Sequence, residues 1–213
     1  MDRWVQAWVD GWVVSRGAAP PVTEPWGWTI DVGSGPHHVT RHVLRATNDA
    51  VEEATVREVA VTGAGVWLKV FADPAVVGGW LGTEWWIDPE PGCLTTSPLT
   101  GDAPGPGAGP VPVGHRQRTW SAGGVTRTMI VAPDGSLAAR GQIAPTGDTA
   151  VVDLIETAPA HRRRGFGTLV LHTLHHAAHA QGAHTAVARL RTAAQPHSRT
   201  AAQPRAVVPP PVP

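Results

Sequence analysis

Pro159-Ala-His-Arg-Arg-Arg-Gly-Phe-Gly-Thr-Leu169 is a basic, glycine-broken turn. It is entered from the apolar run Ala150-Val-Val-Asp-Leu-Ile-Glu-Thr157, which predicts a strand. It is followed by helical periodicity from Thr168 to Gln181, closed by Gly182. A strand, a turn and a helix start in this order leave several successive N–H groups facing one space, where the helix dipole favours negative charge. Gly165 and Gly167 let the backbone approach a ligand closely, while Arg162, Arg163 and Arg164 bring cations to the same place. The stretch reads as an anion cradle for a phosphate or pyrophosphate.

Two nucleotide fingerprints do not fit it. A Walker loop needs Gly-x-x-x-x-Gly-Lys-Ser/Thr, and Lys69 is the only lysine of the chain. The dinucleotide fingerprint needs an acidic residue about twenty positions on, and no Asp or Glu follows Glu156. The segment instead resembles motif A of the GNAT superfamily of acyl-CoA-dependent N-acyltransferases, Arg/Gln-x-x-Gly-x-Gly/Ala. Arg162, Gly165 and Gly167 stand in its three defining places, and Thr157 and Pro159 meet the fuller pattern.

Upstream, Arg127–Ala132 reads as a strand, Pro133–Ser136 as a tight turn and Leu137–Ile143 as the partner strand. Another turn at Pro145–Asp148 leads into the strand at 150–157. A meander ending in a cradle and helix is the GNAT core order. Gly182–Leu190 would be the next strand, splayed from its neighbour in the family so that the pantetheine arm passes between them. The likeness covers about residues 113–190.

The resemblance implies an N-acetyltransferase that moves an acetyl group from acetyl-CoA to an amine of a small molecule or peptide. Backbone groups of Ile155, Glu156 and Thr157 would bond the pantetheine. Arg162 completes the motif, and the backbone of Arg163, Arg164, Gly165, Phe166, Gly167 and Thr168 would hold the pyrophosphate. The chemistry needs a neutral amine, a donor for the oxyanion and a base for the amine proton. Asp153 and Glu156 are the carboxylates available, on opposite faces by the period of two. Asp153 is preferred because it shares a face with Ile155 and Thr157. The competing reading for either residue is a strand-edge carboxylate paired with an arginine.

After Leu190 the pattern departs from the family, whose members carry a Tyr near the CoA sulfur and two further strands. This chain has no Tyr, and Arg191-Thr-Ala-Ala-Gln-Pro196 repeats as Arg199-Thr-Ala-Ala-Gln-Pro204 before a proline-rich end. Residues 191–213 lack large apolar residues and are expected to be disordered or extended. A non-catalytic acyl-CoA-binding module is therefore the alternative function. Seven arginines and seven histidines with no acid follow Glu156, so nucleic-acid binding stands third.

Gly and Pro crowd 101–112, a linker that separates a GNAT core at 113–190 from an N-terminal region at 1–100. That region holds nine of the ten tryptophans. Its patterns predict helices at 2–16, 52–61 and 74–81, and strands at 26–32, 39–44, 66–70 and 85–87. The fold class is thus mixed α/β (α+β) in both parts, the first being a candidate degenerate GNAT-like half without a cradle. Trp26, Trp28, Trp85 and Trp86 are expected to fill its core rather than line a cleft.

His172, His175, His176 and His179 share a helical face, but no third ligand type or carboxylate lies beside them, so a metal is not expected. Equal counts of 17 acids and 17 bases exert no global pull toward nucleic acid or membrane. Cys93 is alone, and no run of about eighteen apolar residues appears, so the expected compartment is the cytoplasm without membrane insertion.

Overall fold

The computed structural model describes residues 2–35, 38–61, 65–89, 92–100, 110–191 and 201–204. It divides into two compact units. The first comprises Met1–Val9, Arg16–Leu94 and Arg189–Pro213; the second comprises Asp10–Ser15 and Thr95–Ala188. The boundary is therefore not a single cut at the Gly/Pro segment. Of the expected linker, 101–109 lies outside the described residues.

The chain opens with α1 (Asp2–Arg16), whose residues Val5, Trp8, Val9, Trp12 and Val13 recur at helical spacing and are buried. In unit 1, β1 (Val22–Glu24), β2 (Gly27–Gly35) and β3 (His38–Thr47) form an antiparallel meander. A 3-10 turn at Asn48–Ala50 leads to α2 (Glu53–Ala60), which crosses over to β4 (Val66–Phe71), parallel to β3. Next come α3 (Pro74–Trp80), capped by Asp73 Oδ1 accepting from the Ala75 N–H at 2.8 Å, and β5 (Trp85–Ile87). Leu44, Val56, Val59, Leu68, Val70, Val77 and Trp85 form the core of this unit. Trp28 and Trp85 are buried as expected, whereas Trp86 is 42% exposed.

Unit 2 takes in most of β6 (Gly92–Pro98), followed by a second meander of β7 (Arg116–Ala122), β8 (Val125–Val131), β9 (Leu137–Thr146) and β10 (Thr149–Thr157). A 3-10 turn at Pro159–His161, the cradle and α4 (Phe166–His179) lead to β11 (Thr185–Arg191), parallel to β10. The sheet order is β6-β11-β10-β9-β8-β7. Phe166, Val170, Leu174 and Ala178 recur every four residues down α4 and pack with Ile130, Ala139 and Ile143. Glycine at 141 makes room for that helix: a Cβ there would run into Ile155 and lie 2.9 Å from Val170 Cγ1. On the opposite face, the Asp10–Ser15 part of α1 lies so close that a Cβ on Gly11 would overlap Val151.

Besides the three-residue β1, three strands were not legible in the sequence. β7 is exposed along most of its length, so it carries no apolar alternation. β6 is half-buried and carries Leu94 as its one large apolar residue among Gly, Cys, Thr, Ser and Pro. It takes the place beside β11 and is held there by Thr95 Oγ1 donating to Ala188 O at 3.3 Å and by Leu99 N–H donating to His184 O at 2.8 Å. The third is β12 (Ala201–Pro204), where the sequence leads to an expectation of disordered or extended chain. These four residues form a strand between β4 and β5, with Ala201 opposite Lys69 and Gln203 opposite Trp86. Backbone pairing alone suffices for a strand here, and Pro204, which lacks an N–H, stands at its end. The rest of the expected tail, 192–200 and 205–213, lies outside the described residues.

Candidate functional site: the cradle and the splayed strand of unit 2

The cradle begins where β10 ends. Ala158 N–H donates to Ala138 O at 3.0 Å, and His161 N–H to Ala158 O at 2.8 Å, folding the chain back through Pro159–His161. Arg163 then takes a positive φ of 58° and Gly165 one of 82°. The second is the left-handed conformation that glycine adopts without the Cβ penalty, and it serves as the N-cap of α4. An added Cβ on Gly165 would project into open space, whereas one on Gly167 would lie 3.0 Å from Thr157 Oγ1. Gly167 thus permits the helix start to sit against the end of β10.

The first intrahelical bond is donated by Leu169 N–H to Gly165 O at 2.9 Å. Among the described residues, no protein acceptor takes the N–H groups of Arg163, Arg164, Gly165, Phe166, Gly167 or Thr168. Six successive donors without a protein acceptor at a helix N-terminus are the arrangement on which an anion can sit. Arg162, Arg163 and Arg164 are exposed around it. Their roles differ: Arg162 Nε donates to Thr157 O at 3.3 Å and ties the turn to the strand. Arg164 lies over the Phe166 ring at 5.5 Å and within 3.5 Å of His161 Nδ1. Phe166 itself is buried, against His115 with ring centroids 4.8 Å apart.

The strand leading into the cradle is split along its length. β10 pairs with β11 from Thr149 opposite Thr185 to Val152 opposite Ala188, and the pairing stops there. On its other edge β10 stays paired with β9 through Thr157, with an irregularity between Asp153 and Glu156. Leu154, at φ 53°, is the extra residue of this bulge. Beyond Val152 the open edge of β10 carries Ile155, Glu156 and Thr157, with Leu154 and Ile155 46% and 36% exposed. The splay and the cradle are thus contiguous along one strand.

The bulge corrects the expectation for the two carboxylates. Asp153 stands opposite Gln142 and Glu156 opposite Arg140, two residues apart on β9, so both carboxylates share one face rather than lying on opposite ones. Ile155 points to the other face, toward Gly141 and α4. Asp153 Oδ2 accepts from Ser15 Oγ at 2.9 Å, and Oδ1 accepts from the Leu154 N–H at 2.9 Å, so this carboxylate pins the bulge. Gln142, itself buried, donates from Nε2 to Ser15 Oγ at 2.7 Å and to Ser15 O at 2.8 Å, completing the network. Glu156 Oε2 accepts from Arg140 at 2.7 Å in a half-exposed ion pair. Sequence reasoning missed Ser15, because only tertiary packing brings it to Asp153, 138 residues away.

Of the histidines on α4, His172, His175 and His179 are half-buried and only His176 is exposed, so this face is less solvated than its sequence suggests. Burial holds the His175 pKa below its ordinary value, and the charge of His172 pushes in the same direction. Among the described residues, no three His, Cys, Asp or Glu side chains gather where they could hold a metal ion. No described helix is long and apolar enough to cross a membrane.

Comparisons with known proteins agree with this geometry. The acetyltransferase (GNAT) family profile matches residues 103–202, which include the cradle and the splayed strand. No curated protein matches the chain. Among solved structures, the chain is similar to a GCN5-related N-acetyltransferase from Kribbella flavida, with TM-score 0.58, 15% identity and coverage of 94% of this chain and 93% of that one. It is similar to a tandem GNAT protein from the clavulanic acid biosynthesis pathway, with TM-score 0.50, 14% identity and 94% of each chain covered. A GNAT-family protein from Novosphingobium aromaticivorans matches with TM-score 0.50, 16% identity and coverage of 95% and 97%. At such identities the likeness is one of fold, and it extends over both units. Residues 103–202, which carry motif A on a cradle and a splayed parallel strand pair, are a domain of the acetyltransferase (GNAT) family, and the chain as a whole shares its fold with GNAT proteins.

Proposed function

We propose that unit 2 binds acetyl-CoA and transfers its acetyl group to an amine of a small molecule or peptide. The observation that carries this reading is the run of six N–H groups from Arg163 to Thr168 with no protein acceptor among the described residues, at the end of a strand whose edge is open. The pyrophosphate would sit on those donors, and Arg163 and Arg164 would screen its charge. The pantetheine amides would pair with the free edge at Ile155, Glu156 and Thr157 as an added strand does. The thioester then lies near the bulge, where the amine attacks its carbonyl carbon. A C–N bond forms and the C–S bond breaks; the amine proton passes to solvent water, and the departing thiolate takes a proton from solvent to leave as free CoA.

A second reading, acyl-CoA binding without transfer, is favoured by one specific observation. Both candidate bases are already engaged, Asp153 by Ser15 and the bulge, Glu156 by Arg140. The chain also has no Tyr to protonate the leaving thiolate. We further propose that unit 1, a meander, helix and parallel strand in the same order, is a GNAT-like half that has no cradle.

Calorimetric titration with acetyl-CoA and then with CoA tests the binding claim, and thiol release on offered amines separates the two readings. Saturable one-site binding with thiol release supports transfer. Binding without release over a broad amine panel supports the second reading, and the absence of binding by the folded chain refutes both.

A further inference from the structure

Unit 1 holds a cleft of about 430 Å³, within the usual range of small-molecule sites. Trp26, in the turn between β1 and β2, stands on one side of it; Leu44 and Arg45 of β3 line it, as do Glu52, just before α2, and Thr55 and Glu58 of α2. The wall has reasons to stay in place. Arg45 N–H donates to Trp26 O at 3.0 Å, which ties the turn to β3. The Trp26 indole meets His42 edge to face, with centroids 5.2 Å apart at 89°. Leu44 is buried and supplies an apolar base.

The charge in this cleft is opposite in kind to that of the cradle. In unit 2 the helix that follows the meander is preceded by three arginines; in unit 1 the corresponding α2 is preceded and begun by Glu52 and Glu53. Glu53 is engaged by Arg57 at 2.7 Å, on α2 itself. The side-chain carboxylates of Glu52 and Glu58 have no ion pair or hydrogen bond among the described residues. The cation of the lining, Arg45, has its guanidinium 4.8 Å from the Trp28 ring centroid, and two carboxylates stand against its single charge. His42 adds no positive charge at neutral pH, because burial holds its pKa below the ordinary value against the pull of Glu24.

We propose that this cleft is a binding site for a small organic cation, an ammonium on an aromatic or aliphatic body. The ammonium is held by the carboxylates of Glu52 and Glu58, and the hydrocarbon body lies against Trp26 and Leu44. Both contributions select the same ligand class: the two exposed carboxylates attract a positive charge, and the indole face favours a cation or an apolar group. Phosphates and carboxylates are repelled from the same space.

The test uses the full chain and three isosteric probes, phenethylammonium, 2-phenylethanol and phenylacetate, titrated by calorimetry at low ionic strength. Phenethylammonium binds one site, the alcohol binds about tenfold more weakly and phenylacetate does not bind. Glu58→Gln and Glu52→Gln each weaken ammonium binding about five- to tenfold with thermal midpoints unchanged, as both residues are exposed. Equal binding of all three probes, no binding of phenethylammonium, or affinity unmoved in both Gln variants overturns the proposal. A Gly165→Val chain keeps its ammonium site whatever happens to acetyl-CoA, so failure here and failure of the cradle reading are told apart.

Discussion

Gly165→Val is the perturbation that discriminates most sharply, because the structure separates its cost in the free protein from its cost in the complex. The residue sits at φ 82°, and no atom lies within 4 Å of an added Cβ. The free protein therefore meets no clash, only backbone strain of about 1–2 kcal/mol for a side chain in the left-handed region, somewhat more for a β-branched one. Unit 2 should lose that much stability and remain folded, since Phe166, Val170 and Leu174 still anchor α4 in the core. Relief of the strain rotates the peptides on either side of residue 165, and the N–H groups of residue 165 and of Phe166 turn away from the concavity. Two charge-assisted bonds lost, at about 1.5–2 kcal/mol each, weaken acetyl-CoA binding by about 3–4 kcal/mol, or several hundredfold in Kd. The assay is calorimetric titration of both proteins beside their thermal unfolding curves. A folded variant that binds acetyl-CoA within about threefold of the parent refutes the assignment of the pyrophosphate to these donors.

Three further outcomes follow from the same geometry. Ser15→Ala removes the hydroxyl between Asp153 and Gln142 and leaves the buried Gln142 amide short of a partner; chemical denaturation should register a loss of about 1–3 kcal/mol. Glu156→Gln breaks an ion pair whose side chains are 57% and 49% exposed, so the unfolding free energy should move by no more than about 1 kcal/mol. A larger loss would mean that the pair organises the splayed edge. The third concerns pH. Burial first, then the charges of Arg41, Lys69 and Arg16, lower the His38 pKa from 6.5 to about 4. Between those values the unfolded chain binds a proton that the folded chain does not, so stability falls as pH drops from 6.5 toward 4 and is regained above 6.5. After allowance for partial exposure the effect is about 1–2 kcal/mol, and His38→Gln should flatten that part of the stability profile.

Much of the local structure was legible because it rests on local causes. The cradle needs two glycines, a strand before it and a helix after it, all within twenty residues of chain. α1 and β5 occupy the predicted 2–16 and 85–87, and α4 begins at Phe166, two residues before the expected Thr168, because the left-handed Gly165 already caps it. The splay of β11 from β10, expected from the family likeness, is present from Asp153 onward.

What the amino-acid sequence determined by itself, then, is the chemistry of one turn and the order of elements around it, since donors, cations and glycine freedom are properties of neighbouring residues. The tertiary structure alone decided the partners. The bulge at Leu154 brings Asp153 and Glu156 onto one face, and Ser15 arrives from 138 residues away to occupy the first of them. β6 joins the sheet of β11, and β12 joins that of β4, although neither carries an apolar pattern to announce it. Pairing between distant strands is made through backbone groups that every residue possesses, so its register is written in the packing of the whole chain rather than in any stretch of it.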